Sequence, residues 1–243
     1  MKPLTGRHII LLISVTFAAI MPESVMSQSE VEYFGSLRGI MHEGDLSAKA
    51  NLEDFKNTEN LYALGAFKDL KGEILVIDGK TYSTRADNGE VIFTEPFKGS
   101  AALLVTASVD SWTEKIPIAG TISDSEQLQS AIEKIATEYE IHIEEPFPFL
   151  IEGTFEELIW HVIDWPEDDP VHTHEKHQTA GPHGVLTHQK VTILGFYSDS
   201  YHGIFTHHAS NIHMHFVTED QSMAGHIDGL KHGTGLTIKL PSN

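Results

Sequence analysis

Apolar and polar positions change period along the chain, and the changes mark out its elements. Residues 39–55 (GIMHEGDLSAKANLEDF) read as partly helical, with Leu46, Ala50 and Phe55 as the stripe turned inward. In residues 60–82 the second half reads as a hairpin. Glu73 to Ile77 is an apolar, β-branched run, Asp78-Gly79 is a type I′ turn signal, and residues 80–83 return. Residues 101–109 are a buried strand. A helix begins at Ser123, where Ser123 and Glu126 have capping-box spacing. Leu128, Ala131, Ile132, Ile135 and Tyr139 follow at helical intervals. Beyond the join Glu145-Pro146-Phe147-Pro148 the pattern is mostly that of strands, at 153–163, 190–197, 211–217 and 235–240. Residues 166–188 between them read as a polar, solvated loop. Strands and a few helices without regular βαβ alternation give an α+β fold. It is expected as two subdomains, 28–145 and 146–243, of mixed or antiparallel sheet with covering helices.

Residues 1–27 read as an export signal rather than structure. Lys2, Arg7 and His8 form a basic start, residues 9–21 are apolar, and Val25 and Ser27 are small residues before a cleavage point at Gln28. The apolar run is short of the roughly 20 residues a membrane span needs. The expected location is therefore periplasmic or secreted, with no membrane contact after signal removal.

Charge narrows the functions available. The chain has 16 Lys and Arg against 35 Asp and Glu, a formal charge of −19. That argues against nucleic acid as a partner, since binding phosphate needs a basic surface. Cys is absent, which excludes disulfides, thiolate catalysis and iron–sulfur clusters. There are 16 His, and 13 of them lie from His161 onward. A transition-metal site here must use imidazole and carboxylate.

One metal constellation has a geometric reason. In His213-Met214-His215 both imidazoles face one side of a strand. The segment 218–225 (TEDQSMAG) suits a hairpin loop, and the returning strand brings His226 opposite His215. Three His with one open position is a catalytic zinc arrangement. The remaining histidines, including His172, His174, His177, His183 and His188, match no ligand template. Trp160 and Trp165 read as core or pocket wall.

Several motifs in order then resemble the α-acetolactate decarboxylase family. They are Gly44-Asp45, Leu64-Gly65-Ala66-Phe67, Leu70-Lys71-Gly72-Glu73, Ile77-Asp78-Gly79-Lys80-Thr81-Tyr82, Ile151-Glu152-Gly153-Thr154-Phe155, Leu194-Gly195-Phe196-Tyr197, His213-Met214-His215-Phe216, Glu219-Asp220 and Gly225-His226. The resemblance implies Zn²⁺ on His213, His215 and His226, with Glu73 as a catalytic acid. It implies conversion of (S)-2-acetolactate to acetoin and CO₂, or action on another 2-hydroxy-3-keto acid, with zinc as Lewis acid; a homodimer is compatible with it. Two positions depart from the family's pattern. The family places an arginine after the Ile-Glu-Gly motif; counted from Ile151-Glu152-Gly153 the corresponding position falls close to His161, and no Arg follows Arg85. The family's further acidic residue beyond the zinc strands has no counterpart, because no Asp or Glu follows Asp228. His161 is the candidate donor to the substrate carboxylate. The competing reading is an exported, His-rich metal-binding protein on the same scaffold without catalysis.

Overall fold

The computed structural model describes residues 30–242. The expected export signal at 1–27 lies outside them. The first sheet is built from β1 (Val31–Phe34), β2 (Ala50–Asn51), β3 (Leu61–Phe67), β4 (Glu73–Ile77), β5 (Lys80–Thr81), β6 (Thr84–Asp87), β7 (Glu90–Phe93) and β8 (Ser100–Ser108). Its order is β1-β8-β3-β4-β6-β7, with β2 on β8 and β5 on β4. Helix α1 (Leu37–Glu43) follows β1. The second sheet comprises β9 (Ile116–Pro117), β10 (Phe147–His161), β11 (His183–Tyr197), β12 (Ile212–Thr218) and β13 (Ala224–Lys239). Helices α2 (Ser125–Glu138) and α3 (His174–Thr179) fall between these strands. Every pairing between named strands is antiparallel. The α+β expectation holds.

The central strands are buried on both faces, and successive residues enter opposite core layers. On β12, Ile212, Met214 and Phe216 join the core beneath α2, with Leu128, Ile132 and Ile135 of that helix. Val217, of opposite parity, enters the core between the sheets with Leu64, Leu103, Leu194 and Phe196. On β4, Ile74 and Val76 face outward onto Leu52, and Leu75 faces the second sheet. Glu73 shares the parity of Leu75, so it too is directed between the sheets. β13 pairs with both β12 and β10, which closes the four long strands on themselves.

Local chemistry shifts several expected boundaries. The helix expected in 39–55 is α1, displaced toward the N-terminus. Ser36 caps it by accepting from Gly39 N, and Gly44 at φ 63 ends it in the left-handed conformation. Leu46 and Ala50 lie beyond it, and Leu52–Phe55 form a separate 3₁₀ turn. The cap of α2 is Asp124, not Ser123: its Oδ1 accepts from Gln127 N, while the Gln127 side chain accepts from Ser123 N. Asp78 and Gly79 have φ of 51 and 69, the left-handed pair a type I′ turn requires. Residues 166–188 hold α3 and the start of β11 rather than a continuous loop. The boundary expected near 145 does not match the change of sheet, which falls between Ser108 and Ile116. Among the described residues no helix is long and apolar enough to cross a membrane.

Candidate active site

His213 and His215 lie on β12 and His226 on β13, and the register sets His215 opposite His226. The three ring centroids are 5.2, 5.1 and 5.1 Å apart, so the imidazoles form a near-equilateral cluster. His226 Nδ1 is 3.2 Å from His215 Nε2. His213 and His215 are buried, and the Nδ1 atom of each has no hydrogen-bond partner. Desolvation holds all three rings neutral. It lowers His213 to about 4 and puts His215 and His226 well below the ordinary imidazole value.

β10 brings in a fourth imidazole. His161 pairs in register with His226 on its other side, with ring centroids 4.8 Å apart. Trp160 packs into the core near α2, so His161 is turned toward the first sheet. There it meets Glu73, 3.5 Å from His161 Nε2 to Oε1; the other oxygen, Oε2, is 3.6 Å from His215 Nε2. Ile163 N donates to Glu73 Oε1 at 3.1 Å. Glu73 is 4 % exposed, and burial pushes its carboxyl up to about 7, against the opposing pull of His161 and the Ile163 hydrogen bond. A carboxyl with that value can give or take a proton near neutral pH.

His161 Nδ1 lies 2.9 Å from both oxygens of Asp228. Burial disfavours charging this ring, but the Asp228 hydrogen bond and the charges of Glu73 and Asp228 outweigh it and raise its pKa. Gln178 of α3 donates to Asp228 Oδ1 at 3.2 Å. These groups line a cavity of about 310 Å³ whose other walls include Leu37, Ile40, Leu70, Leu103 and Phe205. His174 and His177 of α3 stand over it. An apolar cleft with a few converging polar groups is the usual form of a small-molecule site.

The profile of the α-acetolactate decarboxylase family matches residues 33–241, nearly the whole described chain. The chain belongs to the α-acetolactate decarboxylase family. Among curated proteins no sequence matches it. Solved structures share its fold. The acetolactate decarboxylase of Bacillus subtilis subspecies spizizenii superposes with a TM-score of 0.67 at 18 % identity, covering 89 % of this chain and 88 % of the other. The α-acetolactate decarboxylase of Bacillus subtilis strain 168 gives 0.66 at 18 %, covering 89 % and 87 %. A Staphylococcus aureus protein described as of unknown function and similar to α-acetolactate decarboxylase gives 0.65 at 17 %, covering 86 % and 84 %.

All five residues singled out in the sequence (Glu73, His161, His213, His215 and His226) thus cluster in an acetolactate decarboxylase fold: four line the cavity, and the fully buried His215 lies against Glu73 and His226. Asp228 and Gln178 were missed. Asp228 follows His226 by two residues on a strand, which is a same-face signal.

Proposed function

We propose that the protein catalyses metal-dependent decarboxylation of a 2-hydroxy-3-keto acid, with acetolactate giving acetoin and CO₂. One observation carries this reading: three neutral imidazoles converge beside a buried carboxyl of raised pKa in an apolar cavity.

The residues fit a metal ion. A ligating imidazole must be neutral, and burial keeps these three so. One donor atom from each of His213, His215 and His226 lies within 4.8 Å of the others. Three imidazoles with no sulfur suit zinc, the ion this reading assigns. When bound, it supplies Lewis acidity toward the oxygens where negative charge develops.

The chain's own groups do the rest. The bond from C2 to the carboxylate breaks, CO₂ leaves, and the electron pair is taken into the neighbouring carbonyl as an enediolate. That species needs one proton on carbon. Glu73, neutral below its value of about 7, delivers it and is reprotonated from solvent. His161 lines the same cavity and, as imidazolium, donates from Nε2 to the substrate carboxylate. It carries at most one charge and lacks the two-pronged fork of an arginine. The apolar walls exclude water from the reacting carbon.

The direct test is acetoin and CO₂ release from racemic acetolactate by the zinc-loaded protein, and its loss in His215→Ala. Absence of turnover with one zinc bound per chain would overturn the reading. His161 at the arginine position favours a second reading, a metal-binding protein without catalysis. Several loosely held ions per chain and no product would select it.

A further inference from the structure

Asp228 stands between two parts of the molecule. One of its oxygens accepts from Gln178 on α3, the helix over the cavity, and both lie at hydrogen-bond distance from His161 Nδ1. The opposite side of the same ring presents Nε2 to Glu73 Oε1 at 3.5 Å. Both carboxylates are almost fully enclosed, their side chains 6 % and 5 % exposed. Both Asp228 oxygens face Nδ1 and one of them also accepts from Gln178, so this carboxyl acts as the acceptor and Nδ1 of His161 carries the proton. The remaining nitrogen is then fixed in both identity and direction. The spacing of 4.0 Å from His226 Nε2 to Asp228 Oδ1 is too long for a hydrogen bond, so His161 is the ring this carboxylate holds.

We infer that Asp228 is a positioning residue: with Gln178 it locks the ring and tautomer of His161, so that Nε2 points at Glu73 and the cavity. A histidine needs such support where an arginine does not, because a guanidinium has no tautomer to fix and is charged throughout. The pair also ties α3 to the site, through the hydrogen bond from Gln178 to Asp228. This rests on the decarboxylase reading for its kinetic consequence but not for its geometry.

The experiment uses the full-length, zinc-loaded protein with ¹⁵N-labelled histidine, the His161 signals being assigned by their absence from His161→Gln. The wild-type spectrum is expected to show a protonated Nδ1. Asp228→Asn, close in shape, is expected to move the proton to Nε2 or to mix the two tautomers. It should keep one zinc per chain and lower kcat/KM on the order of 10–100-fold, a loss of the size seen when the hydrogen-bond partner of a metal-ligating histidine is removed. An unprotonated Nδ1 in wild type overturns the inference by itself, even if the variant fails to fold. So does loss of zinc in Asp228→Asn, which would make Asp228 a ligand, or an unchanged His161 signal with unchanged kcat/KM. If the wild type shows no turnover, the decarboxylase reading fails while the ¹⁵N measurement still decides the role of Asp228.

Discussion

Glu73 shows how far one side chain's surroundings alter its chemistry. Its folded pKa of about 7 lies above the ordinary 4.5, so the folded state holds the proton more tightly than the unfolded chain. In metal-free protein, stability should therefore fall as pH rises from 4.5 through about 7. Glu73→Gln should remove roughly 1–3 kcal/mol of that fall, read as a smaller drop in Tm between pH 5 and pH 8. Parallel curves for the two proteins would show that the carboxyl is not desolvated as described. In turnover the same variant should lose about 10²–10⁴-fold in kcat, the contribution of a positioned proton donor. The three clustered histidines were legible because a strand's period of two and a short hairpin suffice to bring them together. The link from His161 to Asp228 was not, because their contact depends on the pairing of β10 with β13, strands 67 residues apart at this contact. Nothing local in either segment announces that register.

Elements were readable where chemistry is local, and shifted where caps compete. The type I′ turn at Asp78-Gly79 and the apolar stripe of α2 needed only neighbouring residues. The start of α2 moved by one residue because Asp124 is as good a cap as Ser123 and its carboxylate reaches Gln127 N. Asp124→Ala should cost about 1 kcal/mol in urea unfolding. Residues 166–188 read as loop because their polarity hides a short helix capped by Thr173, which accepts from Lys176 N. Gly65 on β3 is a stricter case. At φ 154, a Cβ there would lie 2.0 Å from the carbonyl oxygen of Leu103 on β8, and backbone cannot yield as a side chain can. Gly65→Ala should therefore separate β3 from β8 at the cavity wall and destabilise by about 2–4 kcal/mol. A cost below 1 kcal/mol would show that the sheet can relax.

At the scale of the molecule, the two sheets meet along a seam that contains the site. Ile163 N binds Glu73, Trp165 N binds Leu70 O, and Lys71 Nζ reaches both Asp164 and Trp165 O. Sequence patterning located the buried strands but not which sheet each joins, and β9 shows why: two residues, Ile116 and Pro117, cross to the second sheet with no periodicity to mark them. A ligand bound only by the folded state raises its stability by mass action. Added zinc should therefore raise Tm, and chelation should lower it, in wild type but not in His213→Ala. An equal response in both would place the ion elsewhere.

The seam also sets an order of events. The three clustered histidines lie on a single hairpin, β12 and β13, and hairpins of that kind close within microseconds. Glu73 must arrive from 90 residues earlier than its partner Ile163, and contacts of such separation form late. During refolding, the imidazole cluster can assemble while the carboxyl is still absent. The nascent site would pass through a stage competent to hold an ion and unable to deliver a proton, so ion capture should precede the return of turnover.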